Sequence, residues 1–165
     1  MKKVLMKELP ESTIYLLEKQ GFVIVSTLDS QGRIHCSAKG IAAIEKKGMI
    51  YLIDVYRANT FNNLKRNSTI SVTAVDEHQF TGYSLKGRAE IIEREKIKKH
   101  IIERWEEKVT RRASNRVIKN IKGEKKDSHH PEALFPQPEY LIKMEVEEVV
   151  DLTPSNLKKK EGIDG

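Results

Sequence analysis

The sequence predicts a mainly β fold with added helices, an antiparallel barrel of about six strands. Two observations carry that expectation. Short runs rich in Val, Ile, Thr and Tyr recur along the chain, and these residues suit a pleated, half-buried surface. Most of the gaps between them are of turn length, too short for the crossover that parallel strands require.

The elements follow in order. Pro10 to Gln20 reads as a short helix, with proline in its first turn, Ile14, Leu16 and Leu17 on an apolar side, and Gly21 as its stop. Phe22 to Leu28 is a β-branched strand. Asp29-Ser30-Gln31-Gly32 is turn chemistry, and Arg33 to about Ile44 returns as a hairpin partner. Glu45-Lys46-Lys47-Gly48 is a second turn before a third strand, Met49 to Val55. Tyr56 to Thr60 leads into a helix over Phe61 to Arg66, starting at or near Asn59-Thr60 and ended by Asn67-Ser68. Thr69 to Val75 is a fourth strand. Phe80 to about Ile92 is a fifth, and Gly82 and Gly87 within it signal bulges or a close approach to the backbone. From Glu93 to Ile121, apolar residues recur every four positions from Ile97 through Ile101, Trp105 and Val109, an amphipathic helix with a candidate break at Ala113-Ser114-Asn115. Gly123 to Pro138 reads as a loop, Tyr140 to Val150 as the last strand, and the chain from Thr153 as a frayed tail. The expected organisation is one domain over 1–152, with a helical insertion and loop at 93–138 and a flexible tail at 153–165.

Composition narrows the function classes. The 165 residues suffice for one core, and 38% hydrophobic against 33% charged residues argues against disorder. No apolar run reaches the length of a bilayer span and the N-terminus lacks a leader pattern, so a cytoplasmic location is expected, with no membrane partner. The net charge of +6 is spread over interleaved signs, with the excess at Lys119 to Lys126 and Lys158 to Lys160. That points to a solvated surface rather than a nucleic-acid partner. The single cysteine, Cys36, excludes an intramolecular disulfide, and His129-His130 with Glu132 on a loop do not converge on a metal. No nucleophile elbow, Walker loop or dinucleotide glycine motif is present.

Three places could carry chemistry. At the start of the helix after the third strand, free backbone N–H groups, the Thr60 hydroxyl and the forked Arg57 cation suit a phosphate, with Asn63 on the same helical face. By spacing alone, Asn59 or Thr60 simply capping the helix is the commoner role. On the return strand, His35, Ser37 and Lys39 share one face and Ile34, Cys36 and Ala38 the other, a pattern that any half-exposed strand also shows. Near Gly82 a flat ring could approach, or the strand could merely twist. Trp105 reads as core or dimer interface.

The order of these segments carries a resemblance. Gly21 to Leu28, Arg33 to Ala38, Ile50 to Ile53, Arg57 through Asn63-Leu64-Lys65-Arg66-Asn67, Thr81 to Ala89 and Ile142 to Leu152 together resemble the six-stranded antiparallel split β-barrel, FMN-binding type, of the pyridoxamine 5′-phosphate oxidase-like family. The resemblance covers about residues 10 to 92 and 139 to 152. It implies a homodimer with FMN at the subunit interface, an oxidoreductase using flavin on an unassigned substrate, and NADPH or NADH as candidate reductant. It also implies that Ser37, Ala38 and Lys39 run beside the flavin, and that Ile53, Asp54 and Val55 offer backbone groups to the ring edge. The phosphate would sit at Arg57, Asn59, Thr60 and Asn63. In the family's helix signature a basic residue precedes the Thr or Lys. Thr60 and Asn63-Leu64 match it, Asn59 stands at the basic position, and Arg57 and Lys39 are the substitutes at hand. Flavin supplies the redox chemistry, so no acid–base residue is required of the sequence. The Lys-rich tail lacks the arginines that mark a substrate-phosphate cluster, so pyridoxamine 5′-phosphate oxidation itself is not assigned. A flavin-binding module or electron carrier without its own substrate, and a barrel using deazaflavin or haem, are the alternatives.

Overall fold

The computed structural model describes residues 7–54, 57–121 and 138–158, and the side chains of its long third helix as far as Arg112. Six strands close into one barrel: β1 (Val23–Leu28), β2 (Ile34–Glu45), β3 (Met49–Ile53), β4 (Thr69–Asp76), β5 (Thr81–Glu93) and β6 (Tyr140–Asp151). Around the barrel the order is β1-β2-β3-β6-β5-β4, every neighbouring pair is antiparallel, and β4 returns to β1. Closure gives every strand a neighbour on each side for part of its length, which limits the edges through which small antiparallel sheets associate.

The turns form where their chemistry predicts. Asp29 accepts from the backbone N–H groups of Gln31 and Arg33, and Gly32 takes a φ of 75° to bring β2 back on β1. Gly48 adopts a φ of 100° between β2 and β3. A Cβ there would also meet the Lys7 carbonyl oxygen at 2.4 Å. Both glycines inside β5 are sites of close approach. At Gly87 the register against β6 shifts, and an added Cβ would lie 2.0 Å from the Glu145 carbonyl oxygen. At Gly82 the near atoms are Val75 Cγ1 and the Ala74 carbonyl oxygen, so the approach comes from β4.

Two apolar clusters hold the fold. The barrel interior contains Val23, Val25, Ile50, Leu52, Ile70, Val72, Leu85, Ile142, Met144 and Val146. Helix α1 (Glu11–Lys19) covers it with Leu16 and Leu17, and helix α2 (Asn59–Arg66) contributes Leu64. The second cluster lies outside the wall. There Ala42, Ala43, Met49, Tyr51 and Leu141 meet Ile101 and Trp105 of helix α3 (Lys99–Ile121). Residues 49–52 of β3 are therefore buried on both faces, Ile50 and Leu52 inward and Met49 and Tyr51 under the helix. A register shift between Ile41 and Ala43 in β2 lets consecutive residues serve both layers.

The expected elements are present with small changes of boundary. β3 ends at Ile53, and Val55 lies outside the described residues. The helix expected from Glu93 begins with a 3-10 turn at Arg94–Lys96. It starts as α3 only at Lys99, because Ile97 adopts an extended backbone. Beyond that point its backbone is continuous through Ala113-Ser114-Asn115, where a break was a candidate. His129-His130 and the expected loop lie outside the described residues apart from Pro138. After β6 the chain forms a turn, with Leu157 N–H donating to the Pro154 carbonyl and Thr153 N–H to Asp151. No helix among the described residues is long and apolar enough to cross a membrane.

Candidate functional site

The handover from β3 to α2 places the predicted phosphate-binding residues in one corner. Ala58 stands at the N-cap and has no side chain that can cap the helix. The first bond of the helix runs from Asn62 N–H to the Ala58 carbonyl, so the N–H groups of Asn59, Thr60 and Phe61 have no partner within the helix. Capping by Asn59 or Thr60, the commoner expectation, is not what forms. The Thr60 hydroxyl, 3% exposed, instead meets Ser37 Oγ at 3.0 Å, which ties α2 to the middle of β2. Asn63, also buried, donates to Thr27 Oγ1 of β1 at 3.0 Å and accepts from Arg66 at 2.7 Å. Four of the predicted residues, Ser37, Thr60, Asn63 and Asn59, thus sit on or beside one helix turn.

The two candidate cations have carboxylate partners. Lys39 Nζ contacts Asp54 Oδ1 at 2.5 Å, and Asp54 is only 2% exposed. Arg57 forms a two-pronged pair with Glu93, at 3.1 and 2.8 Å. The pair holds the guanidinium charged, above its ordinary value, and holds Glu93 below the usual carboxylate value. The planar guanidinium lies over both Phe61 and Tyr140 at 4.9 Å, and those rings meet edge to face at 5.2 Å. Tyr140 in turn donates to Asp54 Oδ2 at 2.5 Å. Burial first, then this bond and the Asp54 charge, push the Tyr140 phenol well above its ordinary pKa. The result is a continuous chain: Lys39, Asp54, Tyr140, Arg57, Glu93. It links the ends of β3 and β5 and the start of β6 to the mouth of α2.

The strand alternation on β2 turns out differently from a half-exposed strand with its apolar side inward. His35, Ser37 and Lys39 face the barrel mouth and are partly covered, whereas Ile34, Cys36 and Ala38 are exposed. Register continues this outer face onto β1 and β4. Ile24 stands opposite Ala38 and Thr73, and Ser26 opposite Cys36 and Ser71. Phe22, Ile24, Ile34 and Val75 all expose their side chains on this side of the molecule. Ser26, Ile34 and Ser71 of this face line a cleft with Lys86 and Arg88 of β5.

Sequence reasoning did not single out Tyr140, Phe61, Glu93 or Thr27. The signals were present but weak. Tyr140 is the aromatic residue that opens β6, and Glu93, the residue opposite it, closes β5. A buried Asp54 at a strand end required a donor, and the sequence does not say which tyrosine reaches it. Among the described residues no group of three or more His, Cys, Asp or Glu side chains could hold a metal ion.

The architecture defines the class first: a closed six-stranded antiparallel barrel with a short helix inserted after its third strand. The pyridoxamine 5′-phosphate oxidase family model matches residues 9–149, and the chain belongs to that family. Solved structures agree on the fold. The chain is similar to HupZ of Group A Streptococcus at 16% identity and a TM-score of 0.62, covering 88% of this chain and 94% of that one. It is similar to an FMN-binding protein of Syntrophomonas wolfei at 11% identity and a TM-score of 0.59, over 87% and 86% of the two chains. An F420 reductase matches at 13% identity and a TM-score of 0.56, over 86% and 98%. No curated protein matches the sequence.

Proposed function

We propose that this chain is an FMN-binding flavoprotein that works as a homodimer and carries out redox chemistry through its bound flavin. The observation that carries the reading is the α2 corner. Three helix N–H groups without helix partners, no capping side chain and the Ser37–Thr60 hydroxyl pair form a donor set suited to a phosphate. Family membership and the FMN-binding neighbour support it. Ser37, Ala38 and Lys39 would then flank the flavin, Ile53 and Asp54 would meet its ring edge, and Asn63 would hold Thr60's turn of helix in place. Flavin, when bound, supplies the electron transfer. The chain supplies donors for the phosphate and a fixed position for the ring. Lys39 and Arg57 contribute little net charge at the corner, because Asp54 and Glu93 already neutralise them.

The exposed apolar face on β2, β1 and β4 supports the homodimer. Ala38 belongs to that face and is adjacent to Ser37 and Lys39, so a second copy docked there would complete the wall of the site. A deazaflavin in place of FMN is the second reading. It is favoured by Asn59 at the basic position of the family signature and by the paired state of both cations.

The test is an absorbance spectrum of the purified protein before and after FMN addition and desalting, repeated for Thr60→Val. Retained flavin absorbance that falls at least about tenfold in affinity in the variant is expected, the scale of losing one charge-assisted hydrogen bond. Protein that stays colourless with FMN but retains a deazaflavin selects the second reading. Protein that retains neither overturns both.

A further inference from the structure

The described surface concentrates positive charge in a groove that shares no residue with the α2 corner. Strand β1 pairs with β2 only as far as Val23 opposite Lys39. Before Val23 the chain belongs to the link from α1, so β2 beyond Lys39 has no strand on that side. A groove of about 590 Å³ opens there between the end of α1, residues 41–44 of β2 and α3. Helix α3 lines it with Arg104, Lys108, Arg111 and Arg112, which at spacings of three and four residues share one helical face, while Glu18 and Glu107 supply the acidic side chains.

The way these cations are bonded sets the groove apart from an ordinary charged surface. Lys108 donates to the Ile41 carbonyl at 3.1 Å, Arg104 to the Ile44 carbonyl at 3.4 Å and Arg112 to the Gly21 carbonyl at 2.8 Å. For Lys108 and Arg104 the neutral carbonyls hold the cation in place without cancelling its charge. Lys108 spends one of its three N–H donors this way. Arg111 makes no hydrogen bond or ion pair among the described residues. Burial and the neighbouring Arg112, Arg104 and Arg111 all make the Lys108 ammonium harder to keep charged, and Glu18 only partly opposes them. A bound anion would relieve that repulsion, and its oxygens would find donors already oriented.

We infer that this groove is a binding site for a condensed phosphate, taken either as inorganic pyrophosphate or as the diphosphate of a nucleotide. The volume admits a nucleotide-sized ligand. Two adjacent phosphoryl groups match cations repeated along one helix face better than a single small anion does. The inference stands independently of the flavin reading, since it uses none of the residues of the α2 corner.

Calorimetric titration of the full chain with pyrophosphate, and separately with ADP, tests it. Saturable one-site binding of pyrophosphate is expected, weakened at least about tenfold in the double variant Lys108→Met with Arg111→Ala and unchanged in Thr60→Val. Arg111→Ala alone, at an exposed position, still weakens binding if the double variant does not fold. ADP binding with the same dependence on Lys108 and Arg111 makes a nucleotide the source. Pyrophosphate binding without ADP binding makes it the free condensed phosphate. Absence of saturation, equal affinity in the variants, loss in Thr60→Val, or binding only to duplex DNA each overturns the inference.

Discussion

Asp54 is the residue on which the corner turns, because a carboxylate only 2% exposed must be fully bonded to be tolerated. Lys39 and Tyr140 take its two oxygens separately. Removing one donor differs from removing the acceptor. Tyr140→Phe leaves a buried oxygen short of one bond and should cost about 1–3 kcal/mol in urea unfolding. Asp54→Ala strands the largely buried Lys39 ammonium beside a hole and should cost roughly 3–5 kcal/mol, the larger loss of the two. Equal losses would mean that the three side chains do not act as one unit. Gly87 is a second position decided at atomic scale. A Cβ placed 2.0 Å from the Glu145 carbonyl cannot be absorbed by rotating a side chain, since backbone is the obstacle. Gly87→Ala should therefore lower the urea midpoint, whereas Gly21→Ala, with no atom near its Cβ, should scarcely move it. Sequence alone marked Gly87 as a bulge or close approach. It did not reveal the Asp54 cluster, because Lys39, Asp54 and Tyr140 come from three strands and share no local pattern.

Elements add pairings that no single residue shows. The end of α1 is pinned to the β4–β5 turn by Lys19 and Asp76 at 2.8 Å, and Asp76 also accepts from the backbone N–H groups of His78 and Gln79. The Lys19 bond and these backbone bonds hold the Asp76 carboxyl below its ordinary value, against a smaller opposing effect of burial. A carboxyl depressed in the folded state stabilises above its unfolded pKa of about 4 and loses that contribution as pH falls through the lower folded value. Unfolding midpoints at about pH 6 and about pH 3 should consequently differ more in the parent than in Asp76→Asn. Helix α3 makes a different prediction. Trp105 is 8% exposed against Met49, Tyr51 and Leu141, so Trp105→Ala should cost roughly 3–5 kcal/mol. At this scale the sequence was most legible. Period-two strands, turn glycines and the four-residue spacing from Ile97 to Val109 each encode one local geometry, and the barrel follows from the short links between them. The helix start was misplaced because apolar spacing extends back to Ile97, while the backbone there stays extended.

For the whole molecule, the outward side of β2, β1 and β4 sets the question of assembly. On β1 and β4 the apolar set faces the core, whereas over residues 34–38 of β2 Ile34, Cys36 and Ala38 face solvent, and that inversion is intelligible only once a neighbour is considered. Ile34 is 75% exposed and Phe22 64%, and Ala38 on the same face borders the residues proposed to hold flavin. A charge placed on such a face hardly disturbs the chain's own core, because exposed substitutions change stability by about 0.5 kcal/mol or less. In a dimer docked through this face the same charge would be desolvated without a partner. Ile34→Asp should therefore leave the thermal midpoint of an isolated subunit nearly unchanged while shifting the sedimentation profile from dimer to monomer. If the partner wall completes the flavin site, FMN retention falls in step with dimer content across protein concentrations. A variant that remains dimeric would place the subunit contact elsewhere. A monomer that binds FMN as tightly as the parent would show that one barrel suffices, and the donors at the start of α2 would then carry the cofactor alone.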